Sequence, residues 1–312
     1  MIDGHPDLFK PLPTERAPVK PWRPRPLENH EWADRDYIGL YKWRVDMLAK
    51  LRADPDMLTD AKAYYAKHPK EFICHWLDTY NPRLKRSKWV PFVLFRRQAD
   101  FIDFLEELRR DNESGLVEKC RDVGASWLGC AYSVWTFSFI KDDATGWGSR
   151  KEDLVDKRGD PDSLFEKMRL LINRMPDVFR PPAGHAFMKL VNKENGATVT
   201  GEAGDNLGRG GRKSRYFVDE SAHIERAELI EASLGDNTEV RIDMSSVNGT
   251  GNMFHRRREA GIVWEAGNII PTGVIRVFIF DWRDHPEKDQ EWYDRRKAKA
   301  EREGLQHVFA QE

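Results

Sequence analysis

This chain lacks a CxxC pair and any even set of cysteines: Cys74, Cys120 and Cys130 are too few and too scattered for a disulfide framework. Reduced thiols are expected. The pair Cys74-His75 has no second ligand pair at zinc-finger spacing, so it is expected in the core or on the surface, not on zinc. The first residues lack the basic-then-apolar order of a signal peptide, and the most apolar run, 127–140, is too short and too interrupted by Ser and Thr to span a bilayer. A secreted or membrane-inserted protein is therefore not expected, and a cytosolic one is. Bulk charge is missing as well, since 51 Lys and Arg stand against 52 Asp and Glu. Any nucleic-acid contact must therefore rest on local patches.

Three such patches are present. RLKRSKWVPFVLFRR (83–97) has six basic residues and no acid, RGGRKSR (209–215) has four basic residues, and HRRR (255–258) has three consecutive arginines. The plain alternative for each is a solvated surface.

Proline is concentrated at one end: seven of 17 fall in the first 26 residues, a composition that predicts an extended arm over 1–31. From 32 to 82 the apolar spacing is helical, with breaks at DPD and HPKEF, and predicts a small helical subdomain. Beyond it, apolar strand candidates (116–119, 145–149, 198–202, 216–219, 240–244, 274–280) alternate with helix candidates (97–110, 126–140, 161–174, 227–232). That alternation predicts an α/β core with a mainly parallel sheet over 83–282. Residues 283–312 read as a charged linker helix whose abrupt end implies a following domain.

A further absence sits inside KCRDVGASW (119–127). The usual phosphate-binding turn places a lysine after its last glycine, but Gly124 is followed by Ala125 and then Ser126. A strand leads into this turn and a helix leaves it, so free helix N–H groups could still hold an anion. Lys119 and Arg121 are the cations near enough to replace the missing one. In RYFVDESAHI (215–224) an apolar strand delivers Asp219 and Glu220, two adjacent carboxylates suited to holding Mg²⁺ and to polarising an attacking water. The 93 residues between Ser126 and Asp219 leave room for these two strands to lie side by side. Ser245, Ser246 and Asn248 follow the next strand and could sense a γ-phosphate. Gln98 could read an adenine edge. Arg209 and Arg212, on a flexible glycine-rich loop, have the form of an arginine finger supplied by a neighbouring subunit, although DNA-phosphate contact competes with that reading.

The ordered set FRRQADF, EKCRDVGAS, GSRKEDLVDKRGDPDSLFEKMR, NLGRGGRKSRYFVDESAH and MSSVNG resembles the large terminase subunit of tailed double-stranded DNA bacteriophages, over about residues 82–282. The resemblance implies a P-loop NTPase three-layer αβα sandwich with a mainly parallel sheet, plus the small N-terminal helical subdomain. It also implies an ATP hydrolase that drives double-stranded DNA into the procapsid. Some terminases carry a deviant Walker A motif, K-x-x-x-x-G-x-S, and Lys119, Gly124 and Ser126 fit it. Arg121, Asp122, Val123, Ala125 and Trp127 then complete the cofactor-binding turn. By the same likeness Asp219 and Glu220 are the Walker B pair, Gln98 contacts adenine and Asn248 belongs to the coupling motif. Arg209 is the finger acting in trans, with Arg212 as runner-up. ATP and Mg²⁺ are the implied cofactors, with Ser126 and Asp219 as metal ligands. The implied partners are double-stranded DNA, portal protein and the small terminase subunit, in a homo-oligomeric ring when assembled and a monomer in isolation. The implied location is the host cell cytoplasm, with no membrane. The family's nuclease domain has no counterpart here, so cutting is not expected, and Asp281 and Asp284 are read as structural. Two alternatives stay open: a helicase-like ATPase outside packaging, and a degenerate, non-hydrolysing module that binds DNA or capsid partners.

Overall fold

The computed structural model describes Trp22 and residues 36–305, so the proline-rich arm, apart from Trp22, and the chain after 305 lie outside the described residues. Among the described residues three helices come first: α1 (Tyr37–Ala53), α2 (Pro55–Tyr65) and α3 (Pro69–Trp76). At DPD, Asp54 ends α1 and its carboxylate accepts from Met57 N–H at 3.0 Å to cap α2. HPKEF, the second expected break, follows the end of α2 at Tyr65 and starts α3. Pro69 occupies its first turn, where a missing N–H costs nothing. Tyr65, Phe72 and Trp76 join the same apolar core as the helix that follows the candidate turn, and Trp135 Nε1 donates to Tyr65 O at 2.7 Å.

After a two-stranded ribbon, β1 (Asp78–Tyr80) and β2 (Trp89–Pro91), the chain runs α4 (Arg96–Asp111), β3 (Gly115–Lys119), α5 (Ala125–Phe139), β4 (Ala144–Ser149), α6 (Glu152–Val155) and α7 (Leu164–Arg174). It continues through β5 (Ala183–Ala186), β6 (Lys189–Asn192), β7 (Thr198–Ala203), β8 (Arg215–Asp219), α8 (Ala227–Asn237) and β9 (Arg241–Ser245). The last elements are α9 (Met253–Ala260), β10 (Ile262–Val263), β11 (Arg276–Phe280) and α10 (Gln290–Arg302). The expected α/β alternation is present. The ribbon β1–β2, the hairpin β5–β6, α6 and β10 were not foreseen because each is too short to show a period, and α9 was not because it buries only Phe254.

A nine-stranded sheet has the order β10-β11-β3-β9-β8-β4-β7-β6-β5, parallel from β10 to β7 and antiparallel at the β5–β6 edge. Side-chain alternation makes it a three-layer structure. Val117, Phe217 and Phe278 face the core with α4, α5 and α7, while their neighbours Leu116, Tyr216, Val218 and Val277 face the two smaller clusters that involve α8 and α9. The strands carrying Lys119 and Asp219 are not side by side as expected, because β9 lies between β3 and β8. All five residues of β9 are buried, and a strand covered on both faces belongs inside the sheet with a partner at each edge.

Candidate functional site

The parallel strands β3, β9 and β8 end together in Lys119, Ser245 and Asp219, which places the candidate groups along one carboxyl edge of the sheet. From Lys119 the chain turns into α5 through Asp122 at φ +67° and Gly124 at φ +76°. Gly124 is the N-cap of α5, and its left-handed conformation favours a residue without Cβ. An added Cβ would also lie 3.3 Å from Gln98 Nε2. The first N–H groups of α5 point out of this turn without intrahelical acceptors.

Buried Gln98 braces the turn from below. Its Nε2 donates to Val123 O at 3.0 Å and its Oε1 accepts from Phe95 N–H at 3.3 Å, so both ends of the amide are engaged within the protein. Contact with an adenine edge would require it to exchange these partners. On the outer side, Arg83 grips Asp122 with two bonds of 3.0 and 3.1 Å, and Lys288 Nζ donates to Arg121 O at 2.5 Å. Trp127 meets Trp89 edge-on at 6.2 Å.

Ala125 holds the position where a lysine usually stands, and it is 3% exposed within the main core. That site has no place for an ammonium. An ammonium is present instead at Lys119, whose side chain is only 12% exposed and whose Nζ lies 3.2 Å from Glu220 Oε1. Neighbouring strands are about 4.8 Å apart, so a group on β3 must reach across roughly 10 Å to the end of β8. A lysine and a glutamate together cover that span.

Ser126 Oγ donates to Asp219 Oδ2 at 2.9 Å, while Asp219 Oδ1 is buried without a hydrogen-bond partner. Burial, the largest influence, pushes the Asp219 carboxyl above the usual carboxylate range against the opposing charge of Lys119, and Glu220 adds to the rise. An orphaned carboxylate oxygen beside a hydroxyl suits a hard divalent cation. Among the described residues no group of three or more His, Cys, Asp or Glu side chains is placed to hold a metal ion.

Glu220, at φ +56°, also approaches His223, with Oε2 3.8 Å from Nε2, and His223 Nε2 lies 3.5 Å from Ser246 Oγ. Asn248 donates to Ala222 O at 3.1 Å, so it touches the segment after Glu220. His223 was not singled out in the sequence, although its place three residues after Glu220 was a usable signal. Beyond it opens a cavity of about 260 Å³ lined by residues including Arg150, Lys151 and Arg226.

The basic patches divide. Arg256, Arg257 and Arg258 are all taken by carboxylates, of Glu228, of Asp243 and Glu231, and of Glu118, so HRRR is a structural ion-pair network. Arg97 pairs with Glu265, and Arg215 is buried against Asp143. Lys85, Arg86 and Lys88 are exposed. Arg209 and Arg212 are also exposed, on a loop that is pinned rather than slack. Asp281 caps a short 3-10 turn together with Asp284, as its structural reading implies. Buried His75 bonds Tyr65 Oη at 3.0 Å, within the helical core.

No family model and no curated protein sequence matches this chain. Among solved structures it is similar to the large terminase ATPase domain of Thermus phage P74-26, at 18% identity and a TM-score of 0.44, over 59% of this chain and 82% of that one. It is also similar to the large terminase of a thermophilic bacteriophage in complex with ADP, at 12% identity and a TM-score of 0.44, over 65% of this chain and 49% of that one. The same terminase in complex with ATP-gamma-S matches at 12% identity and a TM-score of 0.43, over 65% of this chain and 48% of that one. No helix among the described residues is long and apolar enough to cross a membrane.

Proposed function

We propose that this chain hydrolyses ATP as the motor domain of a phage terminase large subunit, moving double-stranded DNA into a procapsid. The observation that carries the reading is the convergence of Lys119, Ser126, Asp219 and Glu220 at one edge of the sheet, with Lys119 Nζ 3.2 Å from Glu220 and Ser126 Oγ 2.9 Å from Asp219. The motif order described from the sequence gives it the family.

The N–H groups opening α5 receive the phosphates, and Lys119 offsets their charge in place of the missing lysine. Ser126 and Asp219 would hold Mg²⁺, which supplies charge neutralisation to the β- and γ-phosphate oxygens. Before nucleotide arrives, Lys119 and Glu220 neutralise each other. Incoming phosphates compete for the ammonium and leave the Glu220 carboxylate free to orient a water and accept its proton. Arg209 from an adjacent copy completes the site, with Arg212 as the second candidate. Lys85, Arg86 and Lys88 supply exposed positive charge for DNA phosphates. A homo-oligomeric ring, docked on portal protein and supplied by the small terminase subunit, is the assembly this reading requires.

The test is steady-state ATP turnover with Mg²⁺, comparing the wild type with Lys119→Ala and Glu220→Ala. Loss of turnover in both variants is expected. Equal rates in all three proteins would remove the assignment.

A further inference from the structure

Glu202, near the end of β7, has both carboxylate oxygens occupied by the loop that follows. Its Oε2 accepts from Gly208 N–H at 2.5 Å and from the Tyr216 hydroxyl at 2.6 Å, and its Oε1 accepts from Gly210 N–H. These two amides flank Arg209. From the other side, Asn237 at the end of α8 donates its Nδ2 to Gly208 O at 3.1 Å and to Gly211 O. Gly208 is at φ +79° and sits against α8 so closely that a Cβ there would lie 2.8 Å from Leu234 N. The backbone on each side of Arg209 is therefore clamped, while the Arg209 guanidinium is exposed and has no hydrogen-bond or ion-pair partner among the described residues.

We propose that Glu202 is the positioning residue of Arg209, fixing the main chain on either side of it so that the guanidinium is held outward for the phosphates of a nucleotide on an adjacent copy. This rests on the ATPase reading above. A slack glycine-rich loop would have to be ordered each time the arginine engaged its anion, whereas here the ordering is completed on folding. Nothing in the sequence pointed to Glu202, an isolated acid in a strand, because its partners are backbone amides six and eight residues further on.

The discriminating variant is Glu202→Gln, which keeps one acceptor but turns an amide N–H against a loop N–H. ATP turnover by the assembled protein is expected to fall by about 10- to 100-fold in kcat, the scale of a displaced catalytic group, with KM for ATP little changed. Adding Glu202→Gln to Arg209→Ala should cause no further loss, because Glu202 acts only through Arg209. A further loss in the double variant, multiplying the two single effects, would show a general structural role and overturn the proposal. Hydrogen exchange provides a second arm that needs no turnover: amides 208–211 should exchange faster in Glu202→Gln than in the wild type, with the sheet unchanged. Equal exchange in the two proteins would overturn the clamp itself. If the wild type hydrolyses no ATP, the ATPase reading falls and the exchange arm still decides whether Glu202 holds the loop.

Discussion

The ammonium of Lys119 lies 3.2 Å from Oε1 of Glu220, so the two groups proposed to serve a bound nucleotide are paired with each other. Removing the acid should therefore help binding while stopping chemistry. For Glu220→Gln, turnover is expected to drop by about 10²- to 10⁴-fold, as for loss of a general base. ATP should bind up to about five-fold more tightly, the equivalent of ~1 kcal/mol for a partly exposed ion pair. Titration calorimetry with ATP checks this, and weaker binding by the variant would contradict the competition.

Ala125→Lys would put a lysine at the usual position of the motif, yet it should not restore activity to Lys119→Ala. The position is buried in the main core, so the larger side chain overpacks it at a cost of about 1–3 kcal/mol. Thermal melts of the single variant and turnover of the double variant provide the check. A double variant as active as wild type would show that the ammonium can reach the phosphates from either place.

Gly124→Ala forces a Cβ into the left-handed region, costing about 1–2 kcal/mol, and presses it toward Gln98 Nε2. Denaturant midpoints should fall and ATP affinity should weaken together, because the same turn carries both. Unchanged affinity in a destabilised variant would detach the turn from the nucleotide.

Asp219→Asn should melt at or above the wild-type temperature in the absence of Mg²⁺ and ATP. Its carboxyl is pushed up chiefly by burial, so the ionised form is a cost that a neutral amide of the same shape removes. Mg²⁺-dependent turnover should be lost in the same protein. A large drop in melting temperature would mean that Asp219 is there for the fold.

Asp122 supplies a pH dependence. Burial acts to raise its carboxyl, but the hydrogen bond and charge of Arg83 outweigh that and hold it below the usual range. A carboxylate depressed by folding stabilises fully above its unfolded value of about 3.9, and this contribution is lost as pH falls through the folded value. The wild type should thus exceed Asp122→Asn by at most about 1 kcal/mol at neutral pH, since the pair is exposed, with the gap closing in acid. Urea titrations across pH measure it, and a gap that widens in acid would reverse the sign.

Lys119 and Asp219 were legible because each ends an apolar strand, with Glu220 directly after the second, and a charge at that place stands out against the strand's pattern. Gln98 was legible as a residue of interest, but its bonds to Val123 and Phe95 were not, since an amide looks the same in sequence whatever it touches. The arginines 256–258 looked like a binding patch because their partners, Glu118 on β3, Glu228 and Glu231 on α8 and Asp243 on β9, lie on three other segments of the chain.

By itself, the amino-acid order determined the alternation of strands and helices, the turn at Gly124 and the candidate groups, because periodicity, glycine and strand-terminal charge are local properties. Only the tertiary structure decided that β9 separates β3 from β8, that Lys119 crosses that gap to Glu220, and that Glu202 clamps the backbone around Arg209. Those relationships depend on which distant segments share an edge or a face, and burial of the central strands β8 and β9 on both faces settles that at once.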